Sequence, residues 1–230
     1  MKIGIIGAGS IGGTLARRWT KLGHEIVIAN SRGPETLRDL AAETGAKAVT
    51  AREAVQGVEV VVVTIPQKAV PELPRDLFAN VPGNVIVIDT NNYYPVRDGQ
   101  IDAIERGAVE SVWVSQQLGR PVIKAFNTIF HESLLGKGTP RGTPGRVAVP
   151  VAGDDAAAKA TVLQLVEELG FDAVDAGSLA DSWRQQPGTP VYVHDFDEPR
   201  TRAALAEADH GKLADYRHAS NEWLRKLLGA

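Results

Sequence analysis

Residues 2–12 read Lys2-Ile3-Gly4-Ile5-Ile6-Gly7-Ala8-Gly9-Ser10-Ile11-Gly12. A short β-branched run leads straight into glycines spaced G-x-G-x-x-G, and Ile11, Leu15, Trp19 and Leu22 then recur at helical spacing. Strand, glycine turn and helix in immediate succession form the setting in which this spacing holds a dinucleotide. The first glycine permits the tight turn, the second lets backbone approach a pyrophosphate, and the third lets helix pack closely on strand. The helix start then offers free N–H groups and a partial positive charge to the phosphates. Gly7, Gly9, Ser10, Ile11 and Gly12 are therefore candidate cofactor-binding residues.

Outward from this turn the same alternation repeats. Strands are expected at residues 25–29, 47–49, 58–64, 84–89 and 122–125. Helical stretches are expected from Pro34 to about Thr44 and over residues 51–56, 68–78, 101–106 and 112–118. Strands alternating with helices imply parallel neighbours joined by crossovers. The right-handed crossover rule turns this into an α/β fold, a Rossmann-type doubly wound and mostly parallel sheet.

After Asn127 the pattern loosens. Residues 136–145 hold four glycines and two prolines and read as a loop. Strands over residues 146–151 and 171–175 bracket a helix over 155–169, and Gly170 sits where a helix C′ glycine belongs. A further strand is expected at 191–193, then helix from Thr201 to Leu228, bent near Gly211. This predicts a dinucleotide-binding Rossmann domain over residues 1–135. A smaller region over 136–230, an α/β piece with a helical extension, should complete the sheet and the acceptor site.

Composition narrows the classes. The 230 residues are 43% hydrophobic and 23% charged, enough for a substantial core. A net charge of -3 lacks the basic footprint of a nucleic-acid binder. Without cysteine there is no disulfide, thiolate nucleophile or thiolate-held metal. No stretch approaches the roughly 18 apolar residues of a membrane helix, and the amino terminus lacks the form of a signal peptide. The expectation is a soluble, unprocessed, cytoplasmic protein without membrane or nucleic-acid partners.

The end of the second strand selects the dinucleotide. An NAD site usually places a carboxylate there, about 20 residues beyond the glycines, to hold the ribose hydroxyls. This chain has Asn30-Ser31-Arg32 instead. Ser31 can donate to a 2′-phosphate and Arg32 can neutralise it, which predicts NADP(H) over NAD(H).

Other polar segments fall just after expected strands and should converge at the crevice: Thr64-Ile65-Pro66, Asp89-Thr90-Asn91-Asn92 and Asn127-Thr128. Asn, Asp and Thr also favour plain strand-end turns, so a structural role for each stays open. Asn127 and His131 are the catalytic candidates, His131 as a proton donor to a carbonyl or imine. Tyr93-Tyr94-Pro95 could stack on an acceptor ring and Trp183 with Arg184 could cap the pocket, or these residues could simply pack. His194-Asp195-Phe196-Asp197 has metal-compatible side chains but no second His at helical spacing, and no metal site is expected.

Taken with Val62-Val63-Thr64-Ile65-Pro66, Lys124-Ala125-Phe126-Asn127-Thr128-Ile129 and Asp175-Ala176-Gly177-Ser178-Leu179, the glycine and Asn30-Ser31-Arg32 turns resemble one family. It is that of the NADPH-dependent coenzyme F420 reductases (F420-dependent NADP oxidoreductases), together with the related reductase domain of the STEAP metalloreductases. The resemblance covers about the first 180 residues. It implies direct hydride transfer between NADP(H) and a flavin, a deazaflavin such as F420, or another small acceptor. It also implies that Ser31 and Arg32 hold the 2′-phosphate, that Thr64, Ile65 and Pro66 line the nicotinamide side, and that Asn127 lies near the nicotinamide. Gly33 replaces a second basic residue often found after the matching Arg, and beyond Trp183 the chain leaves the deazaflavin pattern. Two rival readings stand beside it: an imine or carbonyl reductase resembling pyrroline-carboxylate reductases, and a non-catalytic NADPH-binding sensor. A homodimer is expected from the amphipathic tail.

Overall fold

The structure, a computed structural model, describes residues 1–229; Ala230, the last residue of the expected carboxy-terminal region, lies outside the described residues. The chain opens with β1 (Lys2–Ile6), α1 (Ser10–Lys21) and β2 (Glu25–Ala29). Pro34 starts a 3₁₀ turn that runs into α2 (Arg38–Thr44), followed by β3 (Lys47–Ala48) and α3 (Ala51–Ala54). A capping box between Thr50 and Glu53 fixes the start of α3. β4 (Val60–Val63) and β5 (Ile86–Asp89) come next, then the short helices α4 (Pro95–Asp98) and α5 (Asp102–Glu105). α6 (Glu110–Leu118) leads into β6 (Ile123–Lys124).

These six strands form one parallel sheet in the order β3-β2-β1-β4-β5-β6. That is the doubly wound order, with the chain reversing direction across the sheet between β1 and β4. Both faces are covered, so side chains alternate between two cores. Ile3, Ile5, Ile28, Val60 and Val62 pack with Leu15 and Trp19 of α1 on one side. Ile6, Val27, Ala29, Val61 and Val63 pack with Val55 and Phe78 on the other. At Gly4 a Cβ would come within 1.8 Å of the Ala54 carbonyl oxygen, so glycine is what lets α3 lie this close to β1.

α7 (His131–Gly136) precedes the glycine-rich loop, and β7 (Ala148–Val151), α8 (Ala156–Glu168) and β8 (Asp172–Asp175) make a second parallel βαβ unit. Asp155 caps α8 through the N–H groups of Ala157 and Ala158, and Gly170 follows it with φ +85°. The carboxy-terminal strands do not extend the main sheet as a continuous ladder. They form a two-stranded sheet joined to β6 by one antiparallel bridge, Lys124 to Ala152. The reason is local: β6 is two residues long, and Phe126 turns the chain away with φ +61°.

Other expectations need correction. Residues 191–193 form a turn rather than a strand: Tyr192 N–H bonds to the Thr189 carbonyl and Val193 takes φ +51°. The helix expected over 68–78 is a 3₁₀ segment, Gln67–Glu72, with Pro71 inside it and Pro74 just beyond its end. The tail is two helices, α9 (Glu198–Glu207) and α10 (Leu213–Leu228), separated near Gly211. α10 docks against α4 and α5, where Asn221 Oδ1 accepts Val96 N–H at 2.7 Å and Arg217 pairs with Glu105 at 2.9 Å. Among the described residues no helix is long and apolar enough to cross a membrane.

Candidate active site

The crevice opens where β1 and β4 end side by side. Gly7 has φ +115°, and a Cβ on it would sit 2.0 Å from the Thr64 carbonyl oxygen. A Cβ on Gly12 would sit 2.0 Å from the Gly7 carbonyl oxygen and 2.7 Å from Thr64 Cγ2. Both glycines are therefore imposed by close backbone approach. Gly9 differs, since a Cβ there would meet nothing within 4 Å. It caps α1 without a side-chain hydrogen bond, and the first turn of α1 carries no acidic residue. That arrangement leaves room and positive potential for phosphate at the helix start.

Two cavities meet at this point. One, of about 530 Å³, runs from Gly7, Ala8 and Gly9 to Asn30, Ser31 and Arg32, with Glu72, Leu73 and Pro74 opposite. The other, of about 390 Å³, contains Ser10, Ile11, Asn91 and Asn127 on its walls. Gly9, Thr64, Ile65 and Pro66 belong to both. The shape is that of a long ligand lying across the sheet end, with one half on each side of the Thr64–Pro66 wall.

At the first end, Asn30 builds the turn rather than presenting itself. Its Oδ1 accepts Arg32 N–H at 3.0 Å and its Nδ2 donates to Thr36 Oγ1 at 2.8 Å. The turn thereby holds Ser31 and Arg32 exposed at the cavity rim. Glu35 curls over the same turn, its carboxylate reaching 2.4 Å from where a Gly33 Cβ would stand.

At the other end the polar residues interlock. Asn91 Oδ1 accepts Ile65 N–H at 2.9 Å. Asn127 Nδ2 donates to Asn92 Oδ1 at 3.1 Å and to the Gln185 carbonyl at 2.6 Å, so both its amide hydrogens are engaged. His131, the other catalytic candidate, lines this cavity with its side chain 40% exposed, and its Nδ1 lies 3.2 Å from Glu132. The two described non-glycine residues with positive φ, Phe126 and Val193, both line this cavity. Strained backbone concentrated at one site is a common mark of function.

Several wall residues were not singled out by the sequence. Tyr192, Phe130 and Arg97 line the second cavity, as do Trp223, Leu224 and Leu227 of α10, so the chain's own tail forms part of its wall. The spacing of those three on an amphipathic tail was the available signal. Tyr94 lines the cavity and its hydroxyl meets that of Tyr192. Burial, opposed by hydrogen bonding to Tyr192, raises the Tyr94 pKa; burial and the neighbouring Tyr94 raise that of Tyr192 well above ordinary phenol. Tyr93 instead belongs to a separate core cluster with Ile104 and Trp113. Trp183 does not cap the pocket; it packs edge-on against His210, 5.0 Å between ring centres, with the Arg184 guanidinium over its face. His194 stacks on Phe196, and no group of three or more metal-ligating side chains gathers among the described residues.

Residues 2–93, which carry the whole glycine turn, the Asn30–Arg32 turn and the Thr64–Pro66 wall, match the model of the family described as NADP oxidoreductase coenzyme F420-dependent. Over these residues the chain resembles that family. It is 47% identical over 73 residues to the protein YjhV of Escherichia coli (strain K12), a match covering 32% of this chain and 53% of that protein. It is 29% identical over 192 residues to the metalloreductase STEAP3 of Rattus norvegicus, covering 84% of this chain and 37% of STEAP3. The chain thus spans about half of one curated relative and little over a third of the other. Along nearly its whole length it is similar to the solved hypothetical protein SMa0349 from Sinorhizobium meliloti, with 31% identity and a TM-score of 0.73. That match covers 86% of this chain and 96% of the other.

Proposed function

We propose that the chain is an NADPH-dependent oxidoreductase that passes hydride between NADP(H) and a flat ring acceptor, a flavin or a deazaflavin. The observation that carries this is the pair of cavities sharing Gly9 and Thr64–Pro66, one ending at Ser31 and Arg32, the other walled by aromatic and aliphatic side chains. Residues 1–135 hold the dinucleotide in this reading. Residues from 136 onward supply much of the acceptor side, with Ala230 outside the described structure.

The groups present fit the cofactor. Gly9 leaves space beside the α1 N-terminus for the pyrophosphate, and Ser31 and Arg32 face the 2′-phosphate. Thr64, Ile65 and Pro66 carry the nicotinamide half across to the second cavity. When bound, NADP(H) supplies the hydride. The chain supplies position: a hydride step between two rings depends on holding two carbons close, and apolar walls with few polar anchors do that. Phe126, Ile129, Phe130, Trp223 and Leu227 give such walls.

One observation favours the imine or carbonyl reductase as a second reading. The Tyr94–Tyr192 hydroxyl pair lies on the acceptor side, and burial keeps both phenols protonated, so a proton is held where a reduced C=N or C=O would need it.

The experiment is NADPH oxidation followed by absorbance against F420, FMN, FAD, ferric chelates and cyclic imines, after titration of NADPH and NADH. Turnover of a ring acceptor with NADPH bound at least about tenfold tighter than NADH agrees with the first reading. Turnover of imines alone, abolished by Tyr192→Phe, would establish the second. Tight NADPH binding with no turnover of any acceptor would make the chain a sensor. Sedimentation at micromolar concentration tests the homodimer, which we propose from the exposed Leu227 and Leu228 of the tail.

A further inference from the structure

Below the crevice floor lies an ion pair that the hydride reading leaves unused. Lys124 and Asp89 are register partners at the ends of β6 and β5, and both side chains are fully buried, with Nζ 3.2 Å from Oδ2. A buried pair is an expensive arrangement, so what it holds matters. Its two members grip one residue from both sides. Asp89 Oδ1 accepts the N–H of Asn91 at 2.9 Å, and Lys124 Nζ donates to the Asn91 carbonyl. The backbone of Asn91 is thereby clamped at donor and acceptor alike.

The Asn91 side chain is fixed in turn. Its Oδ1 accepts the Ile65 N–H, which excludes the flipped amide because Nδ2 would then face another donor. Its Nδ2 is the end left over. That nitrogen is buried and has no hydrogen-bond partner among the described residues, while Asn91 itself is on the wall of the second cavity and 97% covered. A buried donor without a partner is destabilising unless a ligand oxygen completes it.

We propose that Lys124 and Asp89 are positioning residues for the cofactor. They hold Asn91 so that its Nδ2 donates to an oxygen of the nicotinamide-riboside half of the dinucleotide. The inference rests on the NADP(H) reading above and adds how that half is recognised. Lys124 and Asp89 act through Asn91 and touch no ligand.

The test compares two ligands by calorimetry: NADPH, and adenosine 2′,5′-bisphosphate, which has the adenosine end but no nicotinamide. Asn91→Asp keeps the acceptor for Ile65 N–H and removes the donor. It should weaken NADPH about tenfold or more and leave the bisphosphate within about twofold. Asp89→Asn and Lys124→Met should show the same selective loss, and neither should add to it in the Asn91→Asp background. Asp89→Asn preserves shape and serves where Lys124→Met does not fold. Equal losses for both ligands, additive losses in the double variants, or unchanged NADPH affinity in Asn91→Asp would each overturn the inference. Wild-type protein that binds neither ligand overturns the NADP(H) reading and this inference together; wild-type binding of both with no selective loss overturns this inference alone.

Discussion

Asn127 and Gln185, 58 residues apart, are bound to each other across the junction between the two sheets: Asn127 Nδ2 donates to the Gln185 carbonyl at 2.6 Å, and Gln185 Nε2 reaches Asn127 Oδ1 at 3.4 Å. Gln185 also donates to the Pro150 carbonyl of β7 at 3.4 Å. Asn127 therefore links the end of β6, the Asn92 loop and the segment around Gln185 that follows β8.

Because its donors are engaged, Asn127 should act on shape more than on ligand. Asn127→Ala removes all three of its side-chain hydrogen bonds and leaves their partners on Asn92 and Gln185 short of a bond, a cost of about 2 kcal/mol in urea unfolding. Affinity for adenosine 2′,5′-bisphosphate should hold. Lost turnover at unchanged stability would instead assign the carboxamide directly to catalysis.

Charge at the Ser31–Arg32 turn should set the cofactor preference. Arg32→Ala is expected to weaken NADPH about tenfold or more, with NADH little changed. Glu35 places a like charge beside the same turn, so Glu35→Gln should tighten NADPH by a few-fold, more at low salt. Parallel titrations of both dinucleotides at two ionic strengths check both; an equal response of NADPH and NADH to Arg32→Ala would remove the 2′-phosphate assignment.

The glycines of one turn should separate stability from binding. Gly12→Ala forces a Cβ into backbone at 2.0 Å and should cost at least about 3 kcal/mol, a fall in Tm of roughly 10 °C. Gly9→Ala meets nothing within 4 Å, so Tm should stay put while NADPH weakens at least about tenfold. Thermal melts and titrations on the same two variants decide this, and a Gly9→Ala protein with normal affinity would move the phosphates elsewhere.

Glu110 should make stability depend on pH. It is fully buried at the start of α6, accepts Tyr93 N–H at 3.1 Å, and burial, opposed by Lys124, pushes its pKa up to about 7. The folded value lies above the unfolded one, so the fold binds the extra proton and this group's contribution is fully present below about pH 4.5. That contribution is lost as pH rises to about 7, on the order of 3 kcal/mol. Glu110→Gln keeps the acceptor for Tyr93 and should flatten this decline. Urea unfolding from pH 5 to 8 measures it, and parallel curves for both proteins would show that Glu110 does not titrate there.

The parts legible in sequence were those whose cause is local. The Ile-rich β1 and the all-Val β4 read as strands because a doubly covered sheet demands apolar residues on both faces. Gly7 and Gly12 were legible because glycine spacing encodes backbone approach. The misreadings have non-local reasons. Val191-Tyr192-Val193 has strand-forming residues, yet tertiary contacts bend it into a turn whose Val193 bonds to the Thr128 carbonyl. The aromatic residues were separable only in three dimensions: Tyr94 reached the cavity while its neighbour Tyr93 went to the core, and Trp183 went to His210.

By itself, then, the sequence determined the strand–glycine–helix unit, the parallel sheet and the Asn30-Ser31-Arg32 turn, because each depends on residues adjacent along the chain. Tertiary structure alone decided that Lys124 and Asp89 clamp Asn91, that Asn127 spends its donors on Asn92 and Gln185, and that Trp223 and Leu227 return to line the second cavity. Apart from Asp89 and Asn91, which are two positions apart, the hydrogen bonds among them join residues 33 to 58 positions apart. No periodicity records them, since burial and hydrogen-bond completion act on distances in space rather than along the chain.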